Sequence, residues 1–269
     1  MLLLRYNKFL SLVMNIFQAV IFGIVEGISE FLPISSTFHL LLTKDALGLA
    51  DSFFLNNFIV IIQSGAIFAA IALYAKKILL NRRLIINLLL SFFPTAVIGL
   101  LGHSFIKDTL FSSTTTQLVS FIGVGILFLV AEKYFGKKDQ LLTSDQITTK
   151  DALLIGLAQS FAIIPGVSRS GIVLLFMLWR GYKRSNSAEY TFMLGIPTLL
   201  AASALDMLGL LQQTESITPL LMPLAVGWIV SFIVALFAMK WLVEYLKKHS
   251  LSIFGWYRIV VGLALSLFL

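Results

Sequence analysis

Four long stretches without a charged side chain limit most strongly how this chain can fold. They cover Ser52–Ala75, Leu84–Ile106, Thr109–Ala131 and Ser216–Met239, and each is 23 or 24 residues long. About 20 apolar residues in a helix span a hydrocarbon core roughly 30 Å thick. Only 12% of the residues are charged, against about 25% in soluble domains. The sequence therefore predicts an all-α integral membrane protein.

The net charge of +7 would suggest nucleic acid as a partner if the protein were soluble. In a membrane protein, an excess of Lys and Arg in the cytoplasmic loops explains the same charge. The chain has no cysteine, which excludes disulfides, thiol nucleophiles and cysteine-bound metals.

The two halves of the chain repeat a pattern. Ala-x-x-x-Gly-x-x-Glu at 19–26 is echoed as Ala-x-x-x-Gly-x-x-Gln at 152–159, and Phe58–Gln63 aligns with Phe192–Pro197. These matches keep their order, which favours a duplication, although apolar helices with scattered glycines also resemble one another by chance. We interpret 1–269 as a single membrane domain with repeat 1 at 9–134 and repeat 2 at 151–269.

Each repeat begins with a segment whose apolar character is interrupted, at Pro33 and at Pro165. Broken helices at membrane depth are tolerated where they are buried in protein or line a cavity. We therefore predict two re-entrant helical hairpins, at 9–44 and 151–180. Each is followed by three spans, which gives about six transmembrane helices. These lie near 54–75, 84–105, 117–134, 188–206, 219–240 and 252–269.

The positions of Lys and Arg support this topology. In the hairpin model, 14 of the 20 fall in cytoplasmic loops and only four lie on the outer side. The other two, Arg169 and Arg258, lie within predicted membrane segments. With three crossings per half, the repeats have inverted topology, and their hairpins enter from opposite sides. The hairpin tips are then expected to meet near the midplane, as in inverted-repeat transporters.

The first hairpin carries two glutamates, Glu26 and Glu30, which share one helix face because they lie four residues apart. Paired carboxylates at low dielectric repel each other and need a cation, a proton or an arginine. A hard divalent ion such as Mg²⁺ would satisfy them and would also bind phosphate oxygens. Such pairs are common on solvated helices, so it is the apolar surroundings that favour a functional role.

Three hydroxyls and an imidazole follow the proline that ends this helix: Ser35, Ser36, Thr37 and His39. The hydroxyls are suited to cap the next helix, and equally to serve as a nucleophile or as phosphate donors. The histidine taken alone is also consistent with packing, but its place beside two glutamates favours chemistry.

The second hairpin carries Pro-Gly-Val-Ser-Arg-Ser-Gly at 165–171, which is typical of an anion site. Glycines expose main-chain N–H groups, and a helix start adds the positive end of its dipole. Arg169 is suited to bind a phosphate with two hydrogen bonds. An arginine that only pairs with a carboxylate for folding is the simpler alternative.

These two motifs, at 26–40 and 165–171, resemble those of the undecaprenyl-diphosphatase family, also called the bacitracin-resistance family. The similarity extends to 58–66, 151–159, 188–197 and 257–262. It implies a multi-pass enzyme of the bacterial plasma (inner) membrane whose site opens toward the outer face. Its reaction is hydrolysis of undecaprenyl diphosphate to undecaprenyl phosphate and inorganic phosphate. This recycles the lipid carrier for cell-wall synthesis and confers bacitracin resistance.

The resemblance also implies roles for individual residues. The catalytic set is Glu26, Glu30, Ser36, His39 and Arg169, and the substrate-binding set is Ser35, Thr37, Gly166, Ser168 and Ser170. A divalent cation, Mg²⁺ or Ca²⁺, is expected at Glu26 and Glu30. Either Ser36 or water attacks the terminal phosphorus, with His39 as acid or base.

The chain departs from the family pattern at two places. Phe38 stands where a glycine is usual, which is expected to alter the backbone or narrow the entrance. Ile172 and Val173 replace a smaller, more polar pair. Neither change removes a chemical group.

The competing hypothesis is a transporter or flippase of a phosphorylated polyprenyl lipid, which inverted repeats also favour. The cluster of Ser, His and two Glu exceeds what binding needs and favours the enzyme. The expected partners are the lipid diphosphate and the bilayer. No nucleic acid is expected, and a homodimer is an open alternative.

Overall fold

The computed structural model describes residues 14–105, 114–135, 141–213 and 218–267. Within these ranges the chain forms ten α-helices and no named strand. The helices are α1 (Ile16–Ser29), α2 (Ser36–Ala46), α3 (Phe53–Leu79), α4 (Arg82–Phe105), α5 (Thr114–Phe135), α6 (Thr149–Ser160), α7 (Arg169–Trp179), α8 (Arg184–Gln213), α9 (Thr218–Lys248) and α10 (Ser252–Ser266). The predicted all-α membrane class is confirmed at this level. Positions 9–13 of the predicted first hairpin lie outside the described residues.

Several helix starts follow from short polar side chains. The side chain of Asn15 accepts a hydrogen bond from the N–H of Gln18, and the side-chain oxygen of Gln18 accepts one from the N–H of Asn15. Ser52 and Thr148 likewise cap α3 and α6. Such caps satisfy main-chain N–H groups that a helix leaves unpaired at its first turn.

Four helices in the described part of the chain are long and apolar enough to cross a bilayer: Phe54–Leu79, Arg82–Leu101, Thr114–Phe135 and Leu221–Lys248. Helix α8 has 30 residues but is less apolar, and α10 has only 15. The predicted count of six spans stays a prediction.

Helix α8 extends further than the span predicted near 188–206. Helix α8 continues to Gln213, well past Asp206, where the sequence-based span ended. A single charged residue does not stop a helix, because its main-chain hydrogen bonds continue regardless of the side chain. No proline follows to break them before Pro219.

Several packed helix pairs each join one helix from the first half of the chain to one from the second half. Helix α9 packs on α1, and α4 packs on α6. If α1–α5 correspond to α6–α10 in order, these two contacts are equivalent. Helix α3 packs on α8, and α5 packs on α10, so each of these helices contacts its own counterpart. This pattern is the one expected of a duplicated fold with an internal twofold relation.

Glycines allow the closest of these approaches. A Cβ atom placed on Gly23 of α1 would lie 2.7 Å from the carbonyl oxygen of Gly227 on α9. A Cβ on Gly156 of α6 would overlap the main chain of Ser91 on α4. Both substitutions would push apart a helix that carries part of the candidate site.

Candidate active site

Both sequence motifs fold as two short helices joined by a turn. Helices α1 and α2 form the first pair, and α6 and α7 form the second. We call residues 30–35 the first tip and residues 161–168 the second tip. With each tip we include the side chains that flank it, which are Glu26 and Ser36 for the first tip and Gln159, Arg169 and Ser170 for the second. The tips touch, since the Ser170 hydroxyl donates to the Leu32 carbonyl at 3.1 Å. The structure thus brings together two motifs that lie about 135 residues apart.

Each tip ends in a serine with an uncommon backbone conformation. Ser35 has φ 69° and ψ 92°, and Ser168 has φ 73° and ψ 115°. In the described residues these are the only non-glycine residues with positive φ. Such a conformation is strained in residues other than glycine and often marks functional sites. Each serine directly precedes the short second helix of its pair, so the two tips share this turn.

A continuous chain of hydrogen bonds joins the two tips at Glu30. The Ser36 hydroxyl donates to Glu30 Oε2 at 2.5 Å. Arg169 Nη2 donates to Glu30 Oε1 at 2.8 Å, and its Nη1 donates to the Thr191 carbonyl at 3.0 Å. Glu30 and Ser36 are 7% and 8% exposed. A serine hydroxyl, a carboxylate and a guanidinium are therefore held in contact in a nearly closed site.

These three residues open onto one cavity between the tips. Its lining includes Ser35, Thr37, Gly166 and Ser168 from the predicted substrate-binding set. It also includes polar side chains that the sequence analysis did not assign, Gln63, Thr95, Gln159 and Thr198. The cavity is thus polar on both sides, as an anionic head group requires.

Glu26 lies beneath this chain and is fully buried. Neither carboxyl oxygen has a hydrogen-bond partner among the described residues, and the charges that act on the carboxyl group include those of Glu30 and Arg169. A buried carboxylate without donors is costly unless a cation or a proton compensates it. The unpaired oxygens of Glu26 thus fit a cation. Those of Glu30 do not without a rearrangement, because each already accepts a hydrogen bond.

No cluster of three His, Cys, Asp or Glu side chains occurs in the described residues. Mg²⁺ commonly needs only one or two protein carboxylates, because waters and substrate phosphates complete its coordination. The residues present therefore fit a cation held by Glu26 together with substrate oxygens, rather than an all-protein cage.

His39 faces away from the serine. Its Nδ1 lies 2.8 Å from the Ser35 carbonyl, and its Nε2 lies 2.7 Å from the Tyr257 hydroxyl. A carbonyl only accepts, so Nδ1 carries the proton in the neutral ring, and Nε2 accepts from Tyr257. The structure therefore pairs Ser36 with Glu30, whereas the sequence analysis had expected His39 as its partner.

Ser170 and Phe38 also lie outside the cavity lining. Ser170 is 1% exposed and joins the tips through Leu32. Phe38 stacks on Phe121 with ring centroids 4.1 Å apart. Its backbone is helical within α2, so the position does not need glycine. The large side chain fills the core and does not narrow the cavity.

The chain is similar to one family of known proteins over most of its length. A family model described as bacitracin resistance protein BacA matches residues 19–264. The chain belongs to this family. Undecaprenyl-diphosphatase from Aquifex aeolicus is 40% identical over 258 residues, covering 95% of this chain and 99% of that protein. Those from Flavobacterium johnsoniae and Desulfitobacterium hafniense are 36% and 40% identical, each covering 94% of this chain and 96% of the relative. The resemblance inferred from the two motifs is confirmed.

Two neighbouring residues on α10, Tyr257 and Arg258, were missed as site residues. Arg258 is fully buried and contacts both tips, and Tyr257 contacts His39. A signal was available, because an arginine inside an apolar helix is unusual and often functional. Nothing in the local sequence, however, indicates which segments these side chains meet.

Proposed function

We propose that this protein removes the terminal phosphate of undecaprenyl diphosphate, releasing undecaprenyl phosphate and inorganic phosphate. Membership in the bacitracin resistance family and curated relatives named undecaprenyl-diphosphatase support this activity. The observation that carries it is the contact between Ser36, Glu30 and Arg169 in a polar cavity. A nucleophile, a base and a phosphate-binding cation are the parts that phosphoryl transfer needs.

The diphosphate binds between the tips. Arg169 turns its guanidinium from Glu30 and the Thr191 carbonyl toward the phosphate oxygens, which it can hold with two parallel hydrogen bonds. The Ser35 side chain does not cap α2, so the first N–H groups of α2 remain available to an anion. The positive end of the helix dipole adds to this attraction.

Ser36 is the nucleophile in this mechanism. As its Oγ attacks the terminal phosphorus, its proton passes to Glu30 Oε2, and the bond to the bridging oxygen breaks. Undecaprenyl phosphate leaves, and a phosphoserine remains. Glu30 passes its proton to the departing undecaprenyl phosphate and is again a carboxylate. Water then attacks the phosphoserine phosphorus with Glu30 again as base. The proton taken from water moves on to Ser36 Oγ as the bond to phosphorus breaks, which releases inorganic phosphate and restores the serine. Water as the direct nucleophile remains the alternative tested below.

Glu26 would hold a divalent cation, Mg²⁺ or Ca²⁺, that neutralises charge on the substrate oxygens when bound. Glu30 serves as the base, since its oxygens are already engaged by Ser36 and Arg169. His39 supports the site from the far side of α2, where both its ring and its main-chain N–H meet the Ser35 carbonyl. This fixes the left-handed turn before Ser36.

In the membrane, the two motif pairs are re-entrant hairpins that enter from opposite faces, within a fold of six spans. The enzyme lies in the plasma (inner) membrane, and its cavity opens toward the outer face, where the lipid diphosphate is presented. Since the chain lacks cysteine, single cysteines can test this. A cysteine at Asp51 should react with an impermeant reagent on intact cells, and one at Asn81 only after permeabilisation. Equal labelling of both without permeabilisation contradicts the topology.

A carrier of phosphorylated lipid is a second candidate, favoured by the exchange of helix contacts between the two halves. The decisive experiment measures phosphate release from undecaprenyl diphosphate by purified protein in detergent, with and without Mg²⁺ or Ca²⁺. An enzyme releases phosphate there, whereas transport needs a sealed membrane. If the wild type releases none under any of these ionic conditions while vesicles containing it move the lipid, the phosphatase proposal is wrong.

A further inference from the structure

Arg258 is the buried cation that the proposed reaction leaves unused. Its side chain is fully buried, and it is in none of the ion pairs formed among the described residues. Its hydrogen bonds within this part of the chain all go to main-chain carbonyls. A cation at membrane depth without a carboxylate partner is costly and is usually retained for function. The carbonyls it contacts therefore indicate what it does.

The guanidinium joins three separate parts of the chain. Nε donates to the Phe121 carbonyl of α5 at 2.9 Å, and Nη1 donates to the Pro33 carbonyl of the first tip at 3.2 Å. Nη2 donates to Gly166 at 2.5 Å and approaches Val167 at 3.4 Å, both in the second tip. The Phe121 ring lies 4.5 Å from the guanidinium carbon, which adds a cation–π contact. Arg258 thus binds both tips at once.

These contacts also orient the peptide groups of the tips. A peptide group is planar and trans, so its carbonyl and its N–H point in opposite directions. The carbonyl of Val167 faces Arg258, and the N–H of the same peptide belongs to Ser168, which lines the cavity. Pro33 lies two residues before the other left-handed serine, Ser35. Holding the carbonyls on one side therefore sets the serine turns on the other.

We propose that Arg258 is a positioning residue for the phosphatase reaction, clamping the two tips by their carbonyls so that their serine turns face the diphosphate together. This inference rests on the proposed function. Its specific requirement is the planar guanidinium fork, because only a fork reaches Phe121, Pro33 and Gly166 simultaneously. Lysine carries the same charge on a single nitrogen and cannot span them.

The first test compares Arg258→Lys with Arg184→Lys in purified protein. Arg184 pairs with Glu132 away from the cavity, so its variant controls for replacing an internal guanidinium. We expect Arg258→Lys to keep its melting temperature within a few degrees and to lose about 100-fold in kcat, with a smaller change in KM. Arg184→Lys should keep wild-type kcat. A folded Arg258→Lys with wild-type kcat and KM overturns the proposal.

The second test restores the lost group. In Arg258→Ala, added guanidinium ion at about 50 mM should raise kcat at least about tenfold, because the missing fork is resupplied. Ammonium chloride at equal ionic strength should not. Absence of rescue in a folded Ala variant contradicts the clamp. If neither Arg258 variant folds, the residue is required for folding itself, and the proposal of a positioning role in a folded site is overturned.

A third measurement does not depend on activity. Spin labels on cysteines at Ile28 and Phe161, both exposed and adjacent to the tips, report the distance between the two helix pairs. We expect a narrow distribution in the wild type and a broader one in Arg258→Ala. Unchanged distributions would overturn the clamp even if the wild type proved inactive. Conversely, wild type that releases no phosphate while showing the expected broadening would refute the proposed function alone.

Discussion

The two tips have the same backbone conformation at one serine each, but the side chains around those serines differ in chemistry. Ser35 and Ser168 are 133 residues apart and have the same left-handed conformation. With the same offset, Ser36 corresponds to Arg169. The first tip thus places a hydroxyl where the second places a guanidinium, and both side chains line one cavity. The two similar turns form two sides of this cavity.

The helix starts differ as well. Ser168 caps α7, since its hydroxyl accepts from the Gly171 N–H at 3.2 Å. Ser35 makes no such cap on α2. An uncapped first turn costs stability, by about 1 kcal/mol for a missing side-chain cap, and leaves donors for a ligand. In the proposed mechanism, the free N–H groups of the first tip bind the anion through the main chain, and the second tip binds it through the side chain of Arg169.

Replacing Ser36, the nucleophile of the proposed mechanism, should have the largest effect on activity. We expect Ser36→Ala to lower kcat by about 10³-fold or more, because a side chain of the reacting unit is removed. Rapid quench of wild type with labelled substrate should trap phosphate on a peptide containing 35–37. Thr43→Ala, which removes a hydroxyl from the same helix α2, is the control. Substantial turnover in Ser36→Ala without a trapped phosphoenzyme would assign the attack to water.

Replacing the guanidinium of Arg169 in the second tip by an ammonium should have the next largest effect on activity. Arg169→Lys keeps the charge but loses the fork that holds the phosphate with two hydrogen bonds, so we expect kcat/KM to fall by about 10²–10³-fold. The measurement is phosphate release at several substrate concentrations. Arg82→Lys, at an exposed position on α4, should show no loss. Near wild-type turnover in folded Arg169→Lys would contradict two-bond recognition of the phosphate.

A third change makes the first tip resemble the second. Gln159 stands 133 residues after Glu26, so Glu26→Gln gives both tips an amide at this position. We expect kcat to fall about 10²-fold and the divalent ion concentration needed for half-maximal activity to rise, because a cation ligand is lost. A titration with Mg²⁺ or Ca²⁺ measures this. An unchanged metal response would remove Glu26 as ligand.

The reverse change makes the second tip resemble the first. Gln159 is fully buried, and its Nε2 donates to Thr95. Gln159→Glu should raise KM by about 10-fold, since a further carboxylate would face an anionic substrate. Gln159→Met, which removes the amide without adding charge, is the matched control and should change KM less. If KM rises equally in both variants, the cause is the lost hydrogen bond to Thr95 and not the added charge.

Much of this architecture could be predicted from the sequence, because apolar runs and interrupted motifs are local signals. That Glu30 needs a cation or an arginine could be predicted from the sequence, since paired carboxylates at membrane depth require one. The turns at Ser35 and Ser168 could not be predicted, because a left-handed conformation usually indicates glycine. The contact of Tyr257 with His39 joins residues 218 positions apart, and no local pattern specifies such a pair.

The smallest effect is expected for Tyr257, which lies outside the two tips and contacts the site through His39. Tyr257 donates its hydroxyl to His39 Nε2, while Nδ1 holds the Ser35 carbonyl. Tyr257→Phe keeps the ring that stacks on His39 at 5.8 Å and removes only the donor. A single hydrogen bond contributes about 1 kcal/mol, so we expect kcat to fall about fivefold.

A variant of His39 shows how the expected fivefold fall in kcat of Tyr257→Phe should be interpreted. If His39 only supports the turn at Ser35, His39→Asn, which can still donate to that carbonyl, should retain part of the activity. Tyr257→Phe should then have little further effect in the His39→Asn background, because the hydroxyl acts through the imidazole. If His39 is instead an acid or base, His39→Asn should lose about 10²–10⁴-fold, and its pH profile should lose one limb. That outcome would return His39 to the reacting groups and make Tyr257 the residue that delivers or orients its proton.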